Sequence, residues 1–133
     1  MPVRATVYDG DGNQIPVSGT FPGINKPDDI SWDPVTGNIY VVNVGNNAMT
    51  VYDPDGNLLT TSGSFLGLNS PDQIVSDRNS LSPLYFVANL GTVSFGSYLG
   101  DGQITVYDRS GNPVVLGGGF PGLSAPAGVL VVH

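Results

Sequence analysis

The sequence predicts an all-β fold assembled from repeated sheets, and three observations lead there. The chain of 133 residues aligns with itself in three successive copies. Its composition disfavours helices: all 11 acidic residues are Asp, and Lys26 is the single lysine. Glu and Lys suit solvent-facing helix positions, whereas Asp and Gly belong to turns and caps. Gly (19) and Pro (11) recur in register with the copies, which marks ordered turns rather than disorder.

The copies cover residues 6–49, 50–104 and 105–133, the last one cut short, and together they are read as a single domain over 1–133. Each opens with T-V-Y-D-x-x-G-N and continues with G-x-F-x-G. Thr6, Thr50 and Thr105 start the copies, so the first period is 44 residues and the second 55. A period near 44 built from short strands points to the blades of a β-propeller. Named a to d from the axis outward, the strands follow in order. Asp29–Asp33 and Gln73–Asp77 are the inner a strands. Ile39–Val44 and Leu84–Asn89 are β-branched and aromatic runs that suit b strands. Met49–Tyr52 and Ile104–Tyr107 are c strands. Asp53-Pro54-Asp55-Gly56-Asn57 is a tight turn in which Gly56, like Gly12 and Gly111, takes positive φ. Leu58–Ser62 is a d strand. The chain therefore reads c-d, a-b-c-d, a-b-c-d and a final a, Gly128–Val132.

Three further segments carry a family resemblance: Pro27-Asp28-Asp29-Ile30, Ile39-Tyr40-Val41-Val42-Asn43-Val44-Gly45-Asn46 and Thr50-Val51-Tyr52-Asp53-Pro54-Asp55-Gly56. This run of motifs resembles the NHL-repeat class of six-bladed propellers over nearly the whole chain. The resemblance implies architecture more than activity, because propellers of this kind serve as lyases, lactonases and protein-binding scaffolds alike.

Eleven strands do not close a ring. An open arc of about three four-stranded blades, a half-ring, leaves two apolar faces wet. Several hundred Å² of such surface costs on the order of 10 kcal/mol, comparable to the stability of a domain. Self-association is therefore expected: a homodimer closing a six-bladed ring, with Gly128–Val132 of one copy beside Ala5–Tyr8 of the other.

Composition excludes several functions. The net charge is −7 with four Lys and Arg in all, so neither nucleic acid nor an anionic membrane is an expected partner. No apolar run approaches the roughly 20 residues of a membrane span. Met1-Pro2-Val3-Arg4 has no apolar leader, so no signal peptide is expected. The absence of cysteine removes thiolate chemistry and Cys-based metal sites and leaves the compartment open. His133 is the sole histidine and the last residue, an unpromising place for acid–base catalysis.

The loops that join d to a and b to c share one face of a propeller, and candidate binding residues fall there: Asn43, Asn89 and Gln73, with Phe95 and Tyr98 on the extra stretch Thr92–Gly102 of copy two. Such an insertion is either a site of function or a long hairpin packed on its own blade or a partner. Asp28 and Asp72, each after a proline, resemble the position from which gluconolactonase-type propellers direct a ligand at calcium, a cation that Asp and Asn oxygens suit. The alternative is that these carboxylates cap the loop. No Glu exists to complete that ligand set, and Ala127 takes the place of Asp in copy three. Asp9-Gly10-Asp11-Gly12-Asn13 looks like the start of a calcium loop but occupies the c–d turn. Asp33 and Asp77 are expected to cap a–b turns. Tyr8, Tyr52 and Tyr107 share one repeat position and are expected in the core; Trp32 breaks its column. The function expected is a non-catalytic scaffold that binds a ligand or partner, small molecule or protein, on its loop face, without a cofactor. The alternative is a calcium-dependent lactonase-, hydrolase- or lyase-like enzyme, calcium being the one cofactor left open.

Overall fold

The computed structural model describes residues 5–78 and 81–132. Met1–Arg4, on which the expected lack of a leader rests, and His133 lie outside the described residues. Among the described residues all regular structure is strand, in antiparallel sheets, and no helix occurs. No helix is long and apolar enough to cross a membrane.

The chain opens on a short hairpin, β1 (Val7–Tyr8) and β2 (Gln14–Ile15). The middle sheet follows in simple up-and-down order: β3 (Pro27–Trp32), β4 (Ile39–Asn43), β5 (Ala48–Tyr52) and β6 (Leu58–Leu59). The last sheet holds β7 (Pro71–Ser76), β8 (Tyr85–Asn89) and β11 (Gln103–Tyr107), in the order β7-β8-β11. Between β8 and β11 a separate hairpin, β9 (Val93–Ser94) with β10 (Ser97–Tyr98), takes up most of the extra residues of copy two. The two sheets repeat each other down to their irregularities. Both inner pairs carry a register shift after the leading proline, between Pro27 and Asp29 and between Pro71 and Gln73. Proline lacks the N–H a ladder needs, so it sits where pairing begins and is interrupted.

The turns between β1 and β2, β5 and β6, and after β11 are copies of one another. Gly12, Gly56 and Gly111 have φ of 84°, 83° and 82°, a region that a Cβ disfavours. In each, the leading Asp folds its carboxylate back over the turn: Asp53 Oδ1 accepts from Asp55 N and Asn57 N, both at 2.9 Å, and Oδ2 from Asn57 Nδ2. Asp9 repeats the pattern with Asp11 and Asn13, and Asp108 with Ser110 and Asn112. These bonds favour the ionised form, and Asp9 and Asp53 titrate below the usual carboxylate range because Asn13 and Asn57 donate to them.

The main core lies between the two larger sheets. Tyr40, Val42, Met49 and Val51 of the middle sheet meet Ile74, Tyr85, Val87 and Tyr107 of the last, with Phe65 from the connecting loop. The Tyr40 and Tyr85 rings stack at 4.0 Å, and the Tyr40 hydroxyl donates to Arg109 O at 2.8 Å. Burial comes first among the causes that raise the Tyr40 and Tyr85 hydroxyls. A smaller core joins the opening hairpin to the middle sheet through Phe21, Val41 and Tyr52.

Three expectations are corrected. Tyr52 and Tyr107 are fully buried, but Tyr8 at the same repeat position is 56 % exposed, because no inner strands flank its hairpin. Gly128–Val132 forms no strand: among the described residues no second strand supplies it with ladder bonds, and Leu130 and Val132 face solvent. The closing d strand of copy three shrinks to one bridge, Tyr107 with Pro113, since Pro113 has no N–H to donate.

Candidate functional site

Asn43, Asn89, Gln73, Asp28 and Asp72 fall on one edge of the two larger sheets, but the structure engages them differently. Asn43 and Asn89 end their strands with side chains wholly buried. Asn43 Oδ1 accepts from Asn25 N at 2.9 Å, while Nδ2 donates to Val41 O and to Thr50 Oγ1. Asn89 repeats this with Asn69 N, Val87 O and Thr105 Oγ1, and adds Gln103 O. A buried amide satisfied on both ends ties the loop entering the sheet to its strands. A further bond, Ser70 N to Asn47 Oδ1 at 2.7 Å, links neighbouring loops.

Gln73 and Asp29 share a repeat position and act alike across the inner strands. Asp29 Oδ2 accepts from Ile74 N at 3.0 Å, and Gln73 Oε1 accepts from Val129 N at 2.6 Å. Each side chain reaches the backbone of the next corresponding segment and ties the two together. Gly128 holds this position in the third segment and carries no side chain to continue the series.

Asp28 and Asp72 come together. Burial, a hydrogen bond with Asp28 and the charges of Asp28 and Asp29 hold the Asp72 carboxyl above the usual range. Three carboxylates thus crowd the inner edge of β3 and β7. Among the described residues no group of three His, Cys, Asp or Glu side chains is arranged to hold a metal ion.

Phe95 and Tyr98 sit apart on the β9–β10 hairpin. Its base is clamped by Asp101, whose carboxylate accepts from Thr92 N at 2.7 Å and Thr92 Oγ1 at 2.6 Å. The Thr92 bonds hold Asp101 below its usual pKa. Asn69 Nδ2 also reaches Thr92 Oγ1. At the tip Phe95 is fully exposed with φ of 51°, between exposed Val93, Tyr98 and Leu99. A left-handed, solvent-facing phenylalanine gains nothing from packing and strains its backbone.

Asp33 is the site element that the sequence reading assigned too little. It caps the turn after β3, accepting from Val35 N at 2.9 Å. It also forms an ion pair with Arg109, 76 residues away, at 2.6 Å from Nε to Oδ2, and the guanidinium reaches Leu81 O as well. Burial alone raises the Asp33 carboxyl, but Arg109 and the turn amides outweigh it and the net shift is downward. The sequence signal was slight: Arg109 stands where the other copies have Gly10 and Pro54, at a variable position of the turn. Trp32 is half exposed, with the Arg78 guanidinium 5.8 Å from its ring centre.

A groove of about 440 Å³ opens at the other end of the chain, between the β1–β2 hairpin and the middle sheet. It is lined by Val7, Tyr8, Phe21, Ile30, Ile39 and Val41, among others. The pairing registers make Ile30 the counterpart of Ile74, yet Ile30 is 59 % exposed and Ile74 3 %. The middle sheet covers Ile74; among the described residues nothing equivalent covers Ile30.

No protein-family model matches the chain, and no curated protein matches it in sequence.

Proposed function

We propose that the chain is a non-catalytic scaffold of the β-propeller type, resembling NHL-repeat proteins, whose sheets are blades of a half-ring. Copies assemble through their open ends and bind a ligand or partner on the loop face. The observation that carries the binding reading is the β9–β10 hairpin. It is held rigidly at its base by Asp101 and Thr92 and presents Val93, Phe95, Tyr98 and Leu99 to solvent. Apolar and aromatic side chains displayed together on a braced loop serve recognition, since they add nothing to the core. The half-ring reading draws support from two sheets with the same strand order and the same bulge, and from Ile30, which lines the groove and stays exposed where its counterpart Ile74 is buried.

The test is a thermal-shift screen of peptide and small-molecule libraries against the wild type and a Phe95→Ser/Tyr98→Ser double variant. Ligands that stabilise the wild type and not the variant support the hairpin as the site. Ligands that stabilise both equally place binding elsewhere.

A second reading has one observation in its favour. The charges of Asp28 and Asp29 bear on Asp72, and a calcium ion held there by Asp28 and Asp72 would offset them. This is the calcium-dependent lactonase- or lyase-like alternative. A calcium titration followed by melting decides it. A midpoint that rises with calcium, by linkage, and no longer does so in Asp72→Asn supports the cation; an unmoved midpoint refutes it.

A further inference from the structure

The chain contains the same sheet-to-sheet junction twice, made by the same residues each time. Leaving the opening hairpin, Gly19 N donates to Asp55 O at 2.7 Å and Phe21 N to Gly56 O at 2.9 Å, both in the β5–β6 turn. Leaving the middle sheet, Gly63 N donates to Ser110 O at 2.8 Å and Phe65 N to Gly111 O at 3.0 Å, in the turn after β11. The phenylalanine then packs on the tyrosine that leads into that turn. Phe21 lies 5.1 Å from Tyr52, and Phe65 lies 5.2 Å from Tyr107. The tyrosine hydroxyl donates back to the residue after the phenylalanine, Tyr52 to Pro22 O and Tyr107 to Leu66 O, each at 2.7 Å. The junction is so close that a Cβ on Gly19 would overlap the Gly56 carbonyl, and one on Gly63 the Gly111 carbonyl.

Both halves of this junction recur unused. Gly118-Gly119-Phe120-Pro121-Gly122 is the third donor loop, but a Cβ on Gly118 or Gly122 would meet nothing within 4 Å. Phe120 has φ of 49°, the same left-handed backbone as Phe21 (49°) and Phe65 (53°). Those two rings are buried, whereas Phe120 remains 36 % exposed. Its contact with Phe86, 6.3 Å at 86°, repeats that of Phe65 with Tyr40, 6.4 Å at 77°, so the loop is set for a turn to dock on it. At the other end, Asp9–Asn13 is the first acceptor turn, and a Cβ on Gly12 would meet nothing within 4 Å. Tyr8, which should carry the stacking ring, is exposed.

We infer that the partner at both ends is a second copy of this chain, joined head to tail. Gly118 N and Phe120 N of one copy donate to Asp11 O and Gly12 O of the next, Phe120 stacks on Tyr8, and the Tyr8 hydroxyl donates to Pro121 O. The inference rests on the half-ring reading and names its joint. It also places the chain end. Val129 follows Phe120 by the nine residues that separate Ile30 from Phe21 and Ile74 from Phe65, so Gly128–Val132 enters the partner's groove beside Ile30. A head-to-tail contact of this kind closes when its rotation divides a full turn.

The experiment is native mass spectrometry and sedimentation of the 133-residue chain at micromolar concentration, with three variants. Gly118→Ala adds a methyl group into open space in the single chain but into turn backbone in the assembly. It should keep the wild-type sheet spectrum and weaken association by about tenfold or more. Gly117→Ala, also free of neighbours within 4 Å, should leave association unchanged. Tyr8→Phe removes one hydroxyl from an exposed ring and should weaken association about fivefold, which reads the joint even if Gly118→Ala misfolds. A wild type that assembles while Gly118→Ala and Tyr8→Phe assemble equally tightly overturns the joint and leaves the half-ring standing. A wild type that stays monomeric overturns both.

Discussion

Replacing Arg109 with Met removes the guanidinium that neutralises Asp33 while keeping the length of the apolar stem. Asp33 is fully buried, and its Oδ2 accepts from Arg109 at 2.6 Å. Breaking a fully buried pair by removing one partner costs about 3–5 kcal/mol. The Arg109 side chain is 33 % exposed, so water reaches the pair and screens part of the loss. Val35 N still donates to Oδ1. A cost of about 2 kcal/mol at pH 7 is expected, the scale of a buried charged acceptor losing one partner. The sign of the pH dependence follows. In the wild type Asp33 titrates below its ordinary value, so the pair contributes stability at neutral pH and loses it as pH falls through the folded pKa, below about 4. In Arg109→Met only the turn amides still oppose burial, so the Asp33 pKa rises relative to the wild type. The deficit is then full above that raised value and vanishes once both forms are protonated. Urea melts of both proteins at one chain concentration, at pH 7 and again near pH 3, measure it. A deficit below about 0.5 kcal/mol at pH 7, within the range of ordinary surface changes, or one unchanged near pH 3, would refute the assignment.

Three other outcomes are expected. Gly56→Ala should destabilise by about 3 kcal/mol in denaturant melts, since the new Cβ sits at φ of 83° and 2.6 Å from the Phe21 ring; backbone strain of this kind accounts for about 1–3 kcal/mol, and displacing Phe21 adds to it. Asn43→Leu should cost about 1–3 kcal/mol in the same assay, because it orphans the part-buried Asn25 N and strips Val41 O and Thr50 Oγ1 of a donor. Phe95→Gly should be neutral or stabilising by about 0.5 kcal/mol, since the ring has no packing to lose and the left-handed backbone is relieved; a clear loss by thermal melting would show contacts that the exposed tip does not make.

The strands, the turns and their glycines were legible because they depend on neighbours in sequence. Tyr-Asp-x-x-Gly-Asn states its own turn, and positive φ at Gly12, Gly56 and Gly111 followed from it. What escaped is what spans copies. Asp33 read as a local cap because its partner Arg109 lies 76 residues on, and nothing local reports that distance. Asn43 and Asn89 read as loop-face polar groups; that their amides are spent on loop amides and on threonines of the adjacent strand is a matter of burial, which polarity alone does not reveal. Between Asp28 and Asp29 the sequence offers two equal carboxylates after one proline. Strand register decides that Asp29 bonds Ile74 N while Asp28 faces Asp72. Gly128–Val132 has the composition of an inner strand, but a strand is a property of pairs.

Every repeat carries both surfaces of the junction between sheets, the acceptor turn and, a few residues on, the donor loop that docks on the turn of the next copy. A tandem duplication of such a unit therefore inherits a working interface at birth, with no compensating substitution required. Insertions in the connection between β8 and β11 leave both surfaces untouched, and that is where copy two has mostly grown. Lengthening the array and elaborating its loops are thus separable events in the descent of such a chain, and the first needs only unequal recombination.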